Sequence, residues 1–382
     1  MKDLVMIFGA ASTGVGGLAA YQRTLATELA ARNVSGAFIC LENEERDRDN
    51  IVHTLAWQVR KLDNKRWKRM HPLMMRLGSR PRLHGLLERL SCMALPSTAL
   101  LRECAGAKAM HFVGTGWNFF GFAAVEVARQ NGMRFSILPA AHPHAWGDDI
   151  LDVRLYRKAD CVLCLSDYEK GHLAALGVPD EKLVRCSLPP MCRRDGDGTR
   201  LRATLEIGSR PAALFLGRRG EGKGYTALLD AWPFVVREIP EAVLLLAGPG
   251  LVDKTRTEAI QMDNLRDLGI PDEQTKADAL AACDVFCLPS AHESFGIVYL
   301  EAWSYGKPVI CGTAPACREL VENGVTGLWS NQNPSELARV ISRLLSNQTM
   351  RNEMGEEGRR RVLKLFTWDV CITQYLDAFS AN

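Results

Sequence analysis

No stretch of this 382-residue chain approaches the ~20 consecutive apolar residues that a helix needs to cross a bilayer. The first residues, Met-Lys-Asp-Leu-Val-Met-Ile-Phe-Gly, carry an acid at position 3 and only a short apolar run. They lack the long apolar centre and small-residue cleavage site of a secretory leader. Both absences lead to the expectation of a cytoplasmic protein, attached at most peripherally to the inner face of a membrane. Paired metal-ligand spacing is missing as well. Of twelve cysteines the only close pair, Cys161 and Cys164, lies in the apolar run Cys-Val-Leu-Cys. Residues three apart on a strand face opposite sides, which suits neither one metal nor one disulfide. With no second Cys/His pair beside them, buried reduced thiols are expected rather than structural zinc. Nor is there an excess of one charge: the net charge is +3, which names no partner.

What is present is a composition of 47% hydrophobic and 24% charged residues, which argues against wholesale disorder. The length exceeds one ordinary core, so at least two domains are expected. Short apolar runs recur at Leu4–Ala10, Ala37–Leu41, Ala109–Gly114, Phe135–Ala140, Cys161–Ser166 and Leu183–Leu188. A second series follows at Ala213–Gly217, Ala242–Ala247, Asn264–Leu268, Val285–Ser290, Pro308–Gly312 and Gly327–Trp329. Many lack polar alternation, as strands buried on both faces do. Helical patterns lie between them, at Leu18–Arg32, Phe120–Asn131, Tyr225–Arg237 and Glu336–Leu345. Strand–helix alternation predicts parallel α/β sheets. The polar, Gly- and Pro-containing stretch from Pro189 to Arg200 separates the two series and reads as a linker.

The segment Trp57–Leu90 breaks the rhythm. It holds ten Lys or Arg residues against Asp63 and Glu88, a local net of +8, so the rest of the chain is near −5. Trp57, Trp67, Met70, Leu73, Met74, Met75 and Leu77 are interleaved with that charge. Basic helices of this kind suit an anionic membrane surface, although a solvated insertion packed on the first domain has the same composition. No motif supports nucleic-acid binding.

The densest chemistry lies in Pro289-Ser-Ala-His-Glu-Ser-Phe-Gly-Ile-Val-Tyr-Leu-Glu-Ala-Trp. A strand ends there, and a helix is predicted to start near Ser294–Gly296 and run to Tyr305. Gly296 lets an anion approach the free amides of a helix N-terminus, where the macrodipole also favours negative charge. Glu293 precedes those amides and Glu301 follows eight residues on, a step of roughly 12 Å at helical rise. Glu301 is flanked by apolar residues, and a buried carboxylate needs a partner.

This segment resembles the glutamate–seven residues–glutamate motif of the retaining glycosyltransferases of family 4, which have the GT-B fold. The resemblance implies that Glu293 contacts the transferred sugar and Glu301 the donor ribose. It implies further that Ser294, Phe295, Gly296, Ile297 and Val298 cradle the diphosphate. Leu216-Gly-Arg-Arg-Gly-Glu-Gly-Lys-Gly-Tyr is similar to the family's glycine–arginine…lysine–glycine element, so Arg218 and Lys223 would neutralise the departing diphosphate. Arg219, Gly220 and Gly222 replace the more apolar residues usual there, which implies a looser loop. Ser12-Thr-Gly-Val-Gly-Gly resembles the acceptor-domain loop over the donor phosphates, with Gly16 and Gly17 at the contact. His142 stands where the family has a cleft-lining histidine and is a candidate catalytic residue. His111 and His144 are weaker candidates.

The resemblance implies two Rossmann-like domains facing each other across a cleft. Residues 1–190 would form the acceptor side, with the basic insertion at about 43–105. Residues 191–209 would be a linker, 210–365 the donor domain, and 366–382 a helix packing back on the first domain. The implied reaction moves a hexose-type sugar with retained configuration from a nucleoside-diphosphate sugar to a sugar- or lipid-linked hydroxyl. No metal or other cofactor is expected, in keeping with the lack of an Asp-x-Asp motif at any strand end of the donor half. A nucleotide-sugar epimerase or hydrolase of the same fold, and a non-catalytic nucleotide-binding scaffold, stand as alternatives.

Overall fold

The computed structural model describes residues 3–8, 17–41, 58–62, 65–95, 100, 102, 104–258, 260 and 262–380. The chain divides into two compact units, Met1–Ser187 joined by Trp368–Asn382, and Leu188–Thr367.

The first unit is built on a seven-stranded parallel sheet in the order β3-β2-β1-β4-β5-β6-β7. Its strands are β1 (Leu4–Phe8), β2 (Gly36–Leu41), β3 (Gln58–Leu62), β4 (Ala109–Val113), β5 (Arg134–Leu138), β6 (Cys161–Cys164) and β7 (Leu183–Arg185). β1 runs beside both β2 and β4, with Leu4 opposite Gly36 on one side and Ala109 on the other. Every residue of β4 and β6 is buried, the environment that continuous apolar runs signalled. Cys161 and Cys164 are buried free thiols, and burial pushes Cys161 up to about 11.

β3 was not foreseen. It runs through the basic segment and lies at the edge of the sheet, parallel to β2. The same segment continues as two helices, Lys65–Leu77 and His84–Ala94. Trp67, Met74 and Leu87 sink into the core beneath them. Trp67 packs against Phe120, and His84 Nε2 lies 2.7 Å from the Gly78 carbonyl. Trp57 and Asp63 fall outside the described residues.

The last helix, Trp368–Ser380, completes this unit. Tyr375 is fully buried against Tyr21 and His111, and Trp368 stacks on Tyr21. Arg134 Nε donates to the Ala378 carbonyl at 2.9 Å, and the Ser187 amide donates to Gln374 Oε1 at 2.9 Å.

The second unit has a six-stranded parallel sheet in the order β10-β9-β8-β11-β12-β13. Its strands are β8 (Ala212–Leu216), β9 (Val243–Ala247), β10 (Leu265–Asp267), β11 (Val285–Leu288), β12 (Val309–Cys311) and β13 (Gly327–Trp329). The stretch expected to be a linker is not one. Residues 191–209 include the helix Gly198–Thr204, docked on the helix Glu273–Ala282 of the same unit. The Asp197 amide donates to Asp278 Oδ1 at 2.7 Å, and Arg200 and Arg202 bond Asp278 and Asp284. A Cβ on Gly196 would meet the Ala277 carbonyl oxygen at 2.2 Å, so the backbone is pressed onto that helix.

In both sheets the strand order reverses beside the first strand, at β1/β4 and at β8/β11. In open α/β sheets ligands bind at the carboxyl ends of the strands flanking such a switch point. Among the described residues no helix is long and apolar enough to cross a membrane.

Candidate active site

At the β8/β11 switch point two loops leave the sheet side by side, residues 217–224 after β8 and 289–296 after β11. They are joined by hydrogen bonds. The Ala291 amide donates to the Gly222 carbonyl at 2.9 Å, and the Ser290 hydroxyl donates to the carbonyls of Gly222 and His292. Gln332 Nε2 bridges them from outside, donating to the carbonyls of Glu221 and Pro289 at 3.1 and 2.9 Å. Gln332 is a support that no motif in the sequence announces.

Between these loops Lys223 Nζ lies 2.6 Å from Glu293 Oε2 and donates to the His292 carbonyl at 3.1 Å. Both side chains are mostly buried. The sequence reading placed this lysine and this glutamate in one site, and the fold brings them into direct contact.

The helix after β11 starts later than expected, at Ile297, and ends at Ser304. Gly296 sets that start. It sits at φ 84°, ψ 51°, the left-handed region, and a Cβ there would lie 2.5 Å from the Tyr299 ring. Tyr299 cannot yield easily, because its hydroxyl donates to the Leu288 carbonyl at 2.6 Å. Glu301 is therefore the fifth helical residue, and the helical rise from Ile297 covers only roughly 6 Å of the distance back toward Glu293. The amides of Ile297 and Val298 lead the helix, Ser294 is half-buried, and Phe295 is buried against Phe366 at 6.0 Å.

Glu301 is 1% exposed. Its Oε1 accepts from Lys276 Nζ at 2.7 Å, while Oε2 is buried without a hydrogen-bond partner among the described residues. Burial raises the pKa of this carboxyl; Lys276 and the Met191 backbone oppose that rise. Lys276, in the helix Glu273–Ala282, is disfavoured as a cation by burial, but the charge of Glu301 outweighs this and raises its pKa. The sequence reading required a partner for Glu301 and did not find Lys276, which lies 25 residues away on a different element.

The two arginines of the first loop have different fates. Arg218 is exposed and its side chain makes no hydrogen bond or ion pair among the described residues. Arg219 is almost entirely buried, with Nη1 2.7 Å from Asp267 Oδ2 and Nε donating to the Gly248 carbonyl at 3.1 Å. Its backbone amide donates to the Pro249 carbonyl. The loop expected to be looser is tied to β10 and to the turn after β9, because Arg219 pays for its burial with a bidentate carboxylate.

Gly17 and His142 belong to the first unit; Gly16 lies outside the described residues, and Gly17 opens the helix Gly17–Ala31. His142 is half-buried in the turn after β5, its backbone bridged to Trp146 and its ring edge-on to the Trp146 indole at 5.9 Å. Ala140 and His144 on either side have positive φ, of 50° and 67°, so this turn stores backbone strain. His111 is a core residue inside β4, with Nδ1 2.9 Å from the Ser136 hydroxyl. Desolvation lowers its pKa to about 3.

Two tandem units with this strand order, the chemistry gathered at the second unit's switch point, make up the GT-B architecture of glycosyltransferases. Residues 199–361 match the family described as "Glycosyl transferases group 1", and residues 16–188 match the "Glycosyl transferase 4-like domain". The chain belongs to family 4 of the GT-B glycosyltransferases. It is 34% identical over 174 residues to the phosphatidyl-myo-inositol mannosyltransferase of Mycobacterium tuberculosis, a match over 44% of this chain and less than half, 46%, of that protein. It is 29% identical over 309 residues to the GDP-mannose-dependent alpha-(1-6)-phosphatidylinositol monomannoside mannosyltransferase of Mycolicibacterium smegmatis, covering 72% of this chain and 79% of that one. Among solved structures, sucrose-phosphate synthase from Thermosynechococcus elongatus superposes over the whole of both chains with a TM-score of 0.78 at 21% identity. Anabaena HepE, crystallised with UDP, does so with a TM-score of 0.77 at 17% identity.

Proposed function

We propose that this chain transfers a hexose-type sugar, with retained configuration, from a nucleoside-diphosphate sugar to a hydroxyl of a lipid-linked acceptor. The observation that carries the reading is the Lys223–Glu293 contact beside a glycine-opened helix start, with Glu301 buried in the same helix. The diphosphate would lie over the amides of Ile297 and Val298, with Arg218 as an unpaired cation at its side. Lys223, held by Glu293, would share its charge with the phosphate. Glu293 would then be free to accept a hydroxyl of the sugar, and Glu301 Oε2 a hydroxyl of the ribose.

In the step itself the bond from the anomeric carbon to the diphosphate oxygen breaks. The acceptor oxygen bonds that carbon on the same face and gives its proton to the departing diphosphate. The cations and helix amides stabilise the charge that develops there, and need no metal for it. The relatives named for GDP-mannose and phosphatidylinositol support GDP-mannose as the donor and a glycolipid as the acceptor.

A lipid acceptor is supported independently by the first unit. Lys65, Arg66, Lys68, Arg69, Arg76, Arg80, Arg82 and Arg89 are all exposed, and none of these side chains pairs with a described residue. Glu88 is drawn away to Arg154 and Lys158. Leu73, Met75, Leu86 and Met93 are exposed among the cations. Such a surface fits anionic lipid at about 1 kcal/mol per well-placed cation.

A thermal-shift screen against UDP-, GDP- and ADP-sugars tests the donor. Stabilisation by a GDP-sugar that is lost in Glu301→Ala supports the reading, and no response to any nucleotide sugar sinks it.

A further inference from the structure

The turn after β5 gathers three side chains that the reaction does not use. His144 and Asp148 from the turn, and His172 from the helix Asp167–Ala175, each offer a ligand atom within 4.8 Å of the other two. Among the described residues no other three His, Cys, Asp or Glu side chains meet in this way.

Asp148 is the hub. Its Oδ2 accepts the His144 amide at 2.6 Å and lies 2.9 Å from His172 Nε2. The two imidazoles stand edge to face with centroids 4.6 Å apart. An ordinary Asp–His contact accounts for Asp148 and His172 but not for His144. That exposed ring is brought against its neighbour by a backbone at φ 67°, a conformation non-glycine residues avoid. The surroundings favour a cation. Asp149 follows directly, and buried Glu169 on the same helix spends its two oxygens on the amides of Ala141 and Leu165. Lys170, the nearby cation of that helix, is engaged with Asp180 at 3.7 Å.

We propose that His144, Asp148 and His172 form a binding site for a divalent transition ion of the zinc class, with water in the remaining position. Two imidazoles and a carboxylate are the donor set such ions select, at bond lengths of about 2.0–2.2 Å. Binding would replace the His172–Asp148 contact and draw in the exposed ring of His144. The ion would staple the strained turn that carries His142 to the helix Asp167–Ala175. This role is structural and separate from the transfer chemistry. Sequence spacing does not mark the site, because His172 comes from a different element than His144 and Asp148.

The test uses the full chain, without a histidine tag and treated with chelator, titrated with Co²⁺ and then Zn²⁺. The visible spectrum of four-coordinate cobalt reports binding, and thermal melting reports coupling to the fold. One Co²⁺ per chain, displaced by Zn²⁺, and a melting temperature raised by several degrees are expected. His144→Ala and His172→Ala should each weaken binding at least tenfold and abolish the rise. His144→Ala leaves the Asp148–His172 contact in place, so its metal-free melting should match the parent and exclude misfolding as the cause. Absence of stoichiometric binding, or binding unchanged by His144→Ala, overturns the proposal.

Discussion

Lys276 and Glu301 are locked together at 2.7 Å, and only one of the two carboxylate oxygens takes part. The other is buried and has no hydrogen-bond partner among the described residues. Burial raises the pKa of this carboxyl, and the charge of Lys276 opposes that rise. In the proposed reading Lys276 positions the carboxylate that takes the ribose, and it makes the first prediction.

In Lys276→Met, Glu301 keeps the unfavourable charge of Glu273 and loses its cation, so its pKa rises further. Donor affinity should fall at least tenfold at neutral pH and recover as pH increases and the carboxyl ionises. The parent, in which Lys276 opposes the rise, should show a weaker trend. Removing one partner of a buried pair also costs about 3–5 kcal/mol of stability. The double variant Lys276→Met/Glu301→Gln should regain much of that stability without regaining donor binding. Calorimetric titration across pH, with melting curves, checks both. An affinity of Lys276→Met that is unchanged at neutral pH would remove Lys276 from the site.

Gly296→Ala tests the helix start. The left-handed backbone and the 2.5 Å approach to the Tyr299 ring both oppose a side chain there. Strain of this kind costs on the order of 1–3 kcal/mol. A lowered melting temperature together with weakened nucleotide-diphosphate binding is expected; a variant that melts and binds as the parent does would contradict the geometry.

How much of this was legible beforehand follows from burial. Strands such as β4, β8 and β9 are covered on both faces, so they read as uninterrupted apolar runs. β3 was hidden because an edge strand tolerates charge, and Arg60 and Lys61 look like the rest of the basic segment. Lys223, Glu293 and Glu301 were singled out because each lies in a short segment of motif-like spacing, and the Lys223–Glu293 contact is what the fold adds. Lys276 and Gln332 were not, since their roles come from contacts between elements distant in sequence. The motif resemblance singled out Arg218, but it did not show that Arg219 would be buried. Arg219 is held by Asp267 and the Gly248 carbonyl, on elements distant in sequence.

His111 sets an acid limit on the first unit. Burial in β4 depresses its pKa from 6.5 to about 3, so the unfolded chain takes up a proton at higher pH than the folded one. Stability conferred by keeping this ring neutral is complete above about 6.5. It is lost progressively as pH falls toward 3, at up to about 1.4 kcal/mol per pH unit. His111→Gln should flatten this part of the stability–pH profile. An unchanged slope between pH 6 and 4 would show that other groups control it.

The exposed cations of the hairpin Lys65–Ala94 should govern lipid binding. Reversing Lys65, Arg66, Lys68 and Arg69 to Glu should abolish sedimentation with vesicles containing anionic phospholipid and leave binding of free nucleotide unchanged. Substitution of Leu73 and Met75 by Ser should weaken vesicle binding less, and the loss should grow with salt. Undiminished vesicle binding by the charge-reversed chain would sink the membrane assignment.

The most direct measurement incubates the chain with radiolabelled GDP-mannose and a phosphatidylinositol-containing lipid extract, follows label into lipid, and reads the anomeric configuration of the product by NMR. Label is expected in a glycolipid with the donor's configuration retained, at a rate that falls on the order of a hundredfold in Glu293→Gln and Lys223→Met. Release of free sugar alone, transfer with inversion, or transfer undiminished in both variants would contradict the proposed function.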